Sequence, residues 1–464
     1  MNPIRLKPML TVDNTMLRLP FYLAIFSLLS FSGCSSNHYY QDSEVSLHTS
    51  GYYGLLDHIS SYYPHGISLN FRGYIVGIEE TSRRHILEAD DVLLMDESVL
   101  SSGYSVERFA KTLKFQLPFV SHIVRYEGNP YGEGNCALYN LYHYNGSALI
   151  NPCNNDKRSL PPDYDNYSSA FNDSWTAMEI LKENLIKDLD TNSYTHLIVA
   201  VMGLDTAQEE AIRNYRSIIS SIRSNAGDSF KPLFVGITWP SYFANRWFDP
   251  LWEVLAYPPI ADRADTLGLT WVGVLLSQVV KPLSERISVS VIAHSFGARS
   301  ASMGLCVGPV IQHERDQSIK PNNHWEVDNF IGLAPAFSMK RFVNEDYLFY
   351  ENVYYRDYCP MINRFVFTAS DHDGAFSALF WTDAVGDTKI MKSYCNQEHE
   401  VTVSCTTAES DGSIDDFTRS ANITYIDTSN LMKYSMPGTH GGGHSDIYRP
   451  EIGKLLWSVI NDTQ

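Results

Sequence analysis

The stretch "SVSVIAHSFGARSASMG", residues 288–304, raises the question on which the fold turns. Its first half sets Val289, Val291 and Ile292 among small residues, a β-branched run that predicts a buried strand. Its second half, Gly297 to Met303, is small and helix-tolerant. Between them stands His294-Ser295-Phe296-Gly297, so a serine falls on a sharp turn between a strand and a helix. Packing gives no reason for a hydroxyl there, because a buried polar group costs free energy unless it is partnered. Chemistry at the turn would give one.

The surrounding sequence has an alternating rhythm. "WTAMEILKENLIKDL" has helical spacing, "THLIVAVMG" reads as a buried strand, and "DTAQEEAIRNYRSIISSIRSN" reads as a helix. Asp205 or Thr206 is expected as its N-cap, with Glu209 placed for a capping box. "KPLFVGITW", "ISVSVIAHS", "VDNFIGLAPAF", "NRFVFTAS" and "NITYIDT" follow as strands, with a largely helical "ADTLGLTWVGVLLSQVVKPLSE" among them and a closing helix "PEIGKLLWSVI". Strands alternating with helices predict an α/β fold with a mostly parallel central sheet and right-handed crossovers, helices covering both faces. In such a sheet, ligands gather at the carboxyl ends of the strands, which is where Ser295 falls.

The elbow, Ala293-His294-Ser295-Phe296-Gly297, resembles the G-x-S-x-G nucleophile elbow of the α/β-hydrolase superfamily, with alanine in place of the first glycine. The segments "FVGITWPS" and "ADRADTLG" look like those of a group of uncharacterised bacterial α/β hydrolases. The resemblance covers roughly residues 172–464 and implies a serine nucleophile, then an acid, then a histidine along the chain. "RFVFTASDHDGAF" offers Asp371 and Asp373, and the family's strand-end spacing favours Asp373. "MPGTHGGGHSDIYRPE" offers His440 and His444, and the junction with the last helix favours His444. The three glycines between these histidines disfavour a helix that would bring both rings to one metal. The oxyanion donors implied are the backbone N–H groups of Phe296 and Leu204. Met202 stands where the family often has histidine, a departure that also motivates the competing reading of a non-catalytic envelope protein on a hydrolase fold. The resemblance implies an esterase or lipase-like serine hydrolase acting on an ester or lipid-like small molecule, with no metal or organic cofactor required.

The amino-terminal region points to export. "MLRLPFYLAIFSLLSFSGCSS", from Met16, has Arg18 as a positive flank and a short apolar run, which predicts a secretory signal rather than a spanning helix. Phe31-Ser32-Gly33-Cys34 resembles a bacterial lipobox, implying lipidation of Cys34; Ser35 after it implies the outer membrane. The chain divides into a signal peptide (1–33), a polar tether (34–50), an accessory region rich in Tyr, Gly, Asn and Pro (51–171) and the catalytic domain (172–464). Dense aromatics at 239–257 suggest either core packing of an insertion or a cap over an acyl pocket. Of 7 cysteines, six remain once Cys34 is set aside, an even number that suits disulfides in an oxidising compartment. The sequence-local pairs are Cys136–Cys153 and Cys395–Cys405, leaving Cys306–Cys359, among the fifteen pairings that six cysteines allow. A net charge of -18 argues against nucleic acid as a partner. The oligomeric state leaves no mark in the sequence.

Overall fold

The computed structural model describes residues 68–80, 117–129, 133–140, 152–153, 167–204, 206, 208–239, 241, 249–313, 327–343, 353–355, 359, 361–377, 383–395, 401–414, 423–433 and 443–462. The signal segment, Cys34, the tether and His440 lie outside these residues, as does most of the aromatic stretch after Trp239.

A sheet of ten strands forms the centre, in the spatial order β3-β2-β1-β5-β4-β6-β7-β8-β10-β9. The strands are β1 (Arg72–Glu80), β2 (Pro118–Glu127), β3 (Cys136–Asn140), β4 (His196–Val201), β5 (Pro232–Thr238), β6 (Ser288–His294), β7 (Asn329–Leu333), β8 (Phe365–Ala369), β9 (Val403–Thr407) and β10 (Ile423–Asp427). From β1 to β9 across the sheet every neighbouring pair is parallel; β2 runs antiparallel to β1 and β3. The inner strands β4, β5, β7 and β8 are buried along their whole length. Their near-continuous apolar sequences follow from that, since a parallel sheet is covered by its crossover helices.

The main helices are α1 (Tyr167–Thr191), α2 (Gln208–Ala226), α3 (Asp249–Gly268), α4 (Trp271–Val274), α5 (Lys281–Ser284), α6 (Phe296–Cys306), α7 (Gly374–Ser377), α8 (Thr388–Cys395) and α9 (Pro450–Asn461). They flank the sheet, α2 packing against α9, α3 against α6 and α1 against β2. The architecture is thus α/β, with a mixed, largely parallel sheet. Of the two expected caps of α2, Asp205 lies outside the described residues and Thr206 does not form one. The helix opens at Gln208, and the Thr206 hydroxyl donates instead to Leu204 O at 3.3 Å.

Strands β1–β3, from the region that composition sets apart as accessory, extend the same sheet, β1 lying parallel to β5 from Gly73↔Phe234 to Gly77↔Thr238. The core is continuous across that junction: Trp271 on α4 donates its indole N–H to Pro118 O at 2.7 Å and packs on Phe171 and Trp175. All three disulfides have the sequence-local pairing and its remainder: Cys136–Cys153, Cys306–Cys359 and Cys395–Cys405. One helical stretch among the described residues, Pro259–Ser284, is long and apolar enough to cross a membrane, but 78% of its apolar window is buried inside the protein. Such burial is what a core helix requires, and it makes this stretch only weak support for a membrane-linked role.

A buried polar knot ties α3 to α6. Asp265 on α3 accepts two bonds from Arg299 on α6 at 2.9 and 2.7 Å, and two from Arg341 at 3.1 Å. Both guanidinium groups are fully buried. The knot gives a physical reason for the polar residues in "ADRADTLG" and in the elbow helix, where an apolar face would otherwise be expected.

Candidate active site

Strand order dictates where the site lies. The chain leaves β4 for β5 on one side and returns with β6 on the other, so the connections after β4 and β6 diverge and open a crevice at the carboxyl edge. In register, Val201 on β4 faces Ala293 on β6. Met202-Gly203-Leu204 therefore leaves the sheet beside His294-Ser295-Phe296.

Ser295 is the residue between β6 and α6, with φ 51° and ψ −123°. A non-glycine residue in that region costs about 1–3 kcal/mol and persists only where its surroundings impose it. Here they do. Ser295 N donates to Leu333 O at 3.0 Å, Ala336 N donates to Ser295 O at 3.1 Å, and α6 starts at the next residue. Two glycines make room for the turn. A Cβ on Gly297 would lie 2.4 Å from Val201 O, so only glycine lets α6 start against the end of β4. A Cβ on Gly203 would lie 2.8 Å from the Ser295 Cβ.

The methionine at 202 is buried, and both of its backbone polar groups are engaged. Its N–H donates to the Tyr215 hydroxyl at 3.3 Å, and its carbonyl accepts the Trp239 indole N–H at 2.9 Å. The loop after β4 is therefore oriented through its backbone, and no particular side chain at position 202 is needed for that. Trp239, at the head of the aromatic stretch, serves here as buried packing. Ser241 adds a second tie, accepting from Thr206 N at 3.2 Å and donating to Thr206 O at 3.1 Å.

Asp373 follows β8 in a turn closed by its own N–H on Ser370 O at 3.0 Å. Its Oδ1 accepts from Ala375 N at 3.0 Å, and its Oδ2 accepts from His444 Nδ1 at 2.7 Å. Both side chains of this pair are almost fully buried, 2% and 1% exposed, so solvent screens the contact little. His444 lies in a short 3₁₀ turn, Gly443–Ser445, just before α9. That turn is fastened to the acid's loop by Gly443 N donating to His372 O at 2.7 Å. Asp371 takes a different role. It is exposed, accepts from the Thr388 hydroxyl at 2.6 Å and pairs with Lys392 at 3.2 Å. The Thr388 hydrogen bond, and then Lys392, hold its carboxyl below the usual range.

Of the residues singled out in the sequence, the fold joins Asp373 to His444 directly and sets Ser295, Phe296 and Leu204 at the same sheet edge. No side-chain hydrogen bond joins Ser295 to His444 among the described residues. The link between them runs through His294, whose Nε2–H donates to the His444 carbonyl at 2.9 Å. Burial pushes the His294 imidazole down to about 3, with the nearby His444 adding to the effect. A further anchor, Asp446, carries no chemical motif of its own. It is buried, accepts from Lys433 N at 3.1 Å and pairs with Arg449 three residues on, bracing the His444 turn. Only the i,i+3 spacing of Asp446 and Arg449 hints at it in the sequence. Among the described residues no cluster of His, Cys, Asp or Glu could hold a metal ion. No known protein family, curated protein or solved structure matches the chain.

Proposed function

We propose that the protein is a lipid-anchored serine hydrolase of the cell envelope, with the α/β-hydrolase fold, that cleaves carboxylic esters. The observation that carries this reading is the buried His444–Asp373 hydrogen bond beside a serine held in a left-handed elbow at the same sheet edge. Asp373 accepts a hydrogen bond from the Nδ1–H of His444, which fixes that tautomer and leaves Nε2 as the basic nitrogen. Ser295 Oγ attacks the acyl carbon as its proton passes to that nitrogen, and the N–H groups of Phe296 and Leu204 receive the oxyanion. The proton then goes to the leaving alkoxide, and the alcohol departs. Water attacks the remaining acyl ester, again with His444 as base, releasing the acid and restoring the serine. The missing Ser295–His444 bond is compatible with this sequence, since such bonds in ligand-free sites often tighten only with substrate. Neither a metal nor an organic cofactor is needed for these steps. The anchor at Cys34 rests on the lipobox resemblance alone.

A fluorophosphonate probe tests the reading, because it phosphonylates only an activated serine. Labelling of the wild type that is lost in Ser295→Ala is expected. A folded wild type that does not label would favour an interaction protein on this fold instead.

A further inference from the structure

We infer that His294 is a positioning residue that holds the base, His444, in register with Ser295. This role presupposes the serine-hydrolase reading, and it concerns a side chain that takes no part in the proton transfers above.

His294 is the last residue of β6 and the chain neighbour of Ser295. Its ring reaches two other loops. Its Nε2–H donates to the backbone carbonyl of His444 at 2.9 Å, and the two imidazoles lie with centroids 4.8 Å apart and planes tilted by 44°. Its Nδ1 backs onto the turn after β4: a Cβ on Gly203 would come within 3.1 Å of it. One buried ring therefore abuts the nucleophile, the base and the turn bearing Leu204.

A histidine that merely fills space would not need its donor aimed at one particular carbonyl. The turn Gly443–Ser445 closes with Asp446 N–H on Gly443 O, and the His444 carbonyl accepts from His294. The peptide that carries the base is thus hung on the residue preceding the nucleophile. Because a carbonyl can only accept, His294 must carry its proton on Nε2. Its burial keeps it neutral, so it fixes the base without placing a positive charge against the imidazolium that forms on His444.

The test compares wild type, His294→Leu and His294→Gln. Leucine fills the space without a donor, whereas glutamine can place an amide N–H near the Nε2 position. Three readouts are taken: the rate of fluorophosphonate labelling, kcat and KM for p-nitrophenyl acetate, and the downfield proton resonance of the His444–Asp373 hydrogen bond. His294→Leu is expected to label and turn over about 10- to 100-fold more slowly with KM little changed, the effect of orphaning one buried acceptor. Its downfield resonance should broaden or shift. His294→Gln should recover most of the rate and the resonance. A labelled wild type with an equally fast His294→Leu would overturn the role of His294 and leave the hydrolase reading standing. Folded Leu and Gln variants that are equally slow would overturn the donor role. If neither variant folds, the ring is core packing and the proposal fails. An unlabelled wild type removes the hydrolase reading itself.

Discussion

Replacing Asp373 by asparagine changes few atoms and leaves the loop's volume intact, so its effect can be worked out from hydrogen bonds alone. The carboxylate accepts from two donors: His444 Nδ1–H on Oδ2 at 2.7 Å and Ala375 N–H on Oδ1 at 3.0 Å. Asparagine has one acceptor oxygen to offer them. If that oxygen stays with Ala375, the amide NH₂ faces His444, which must then present a bare Nδ1 and carry its proton on Nε2. That nitrogen can no longer take the proton of Ser295. If the oxygen turns to His444, the Ala375 N–H loses its acceptor, at about 1–3 kcal/mol, and the charge that stabilises the imidazolium is still gone. Either way turnover should fall about 10³-fold or more, equivalent to about 4 kcal/mol of barrier. The assay is p-nitrophenyl ester hydrolysis beside fluorophosphonate labelling, with circular dichroism to show that each variant is folded. Asp371→Asn is the internal control. Its carboxylate is exposed and engaged by Thr388 and Lys392, so it should retain most activity. His444→Ala should match the loss of Asp373→Asn, and His440→Ala should retain most activity. A folded Asp373→Asn with near-wild-type turnover would refute the assignment of the acid, and activity in all four variants would refute the triad.

Asp265→Asn should destabilise the fold by about 3–5 kcal/mol in urea unfolding, because it strips the carboxylate shared by two fully buried arginines, Arg299 and Arg341; a loss below about 1 kcal/mol would mean that water reaches the knot. His122 and His294 are both held neutral by burial, at about 4 and about 3 against an ordinary 6.5. The unfolded chain therefore binds more protons than the folded one below pH 6.5, and each ring should cost about 1.4 kcal/mol of stability per pH unit as pH falls from there toward its folded value. His122→Gln should remove one such slope from the urea midpoint measured against pH; an unchanged slope would place His122 in contact with solvent. Finally, Cys34→Ser should move the protein from the membrane fraction to the soluble one, and a wild type with an unmodified amino terminus would remove the lipoprotein reading.

Features that rest on local pattern are legible from the residues alone. The largely apolar runs of β4, β5, β6, β7 and β8 are visible because a strand buried on both faces must be apolar along most of its length. The glycines at 203 and 297 are visible because close approach of their neighbours tolerates nothing larger. The sequence-local disulfides are visible because short separations leave few partners within reach. Tertiary structure alone decided what depends on distant pairing. That β1 completes the sheet beside β5, about a hundred and sixty residues away in sequence from Gly73 to Phe234, depends on a parallel register that no local signal encodes. The same holds for β9, a short edge strand of mostly small polar residues. Asp371 and Asp373 are chemically alike and two residues apart. Which of them meets His444 is set by the direction of a turn, and that direction follows from bonds to Ser370 and His372 made across the loop. The contact between His294 and His444 spans 150 residues and exists only because the sheet brings β6 and the turn before α9 to one edge.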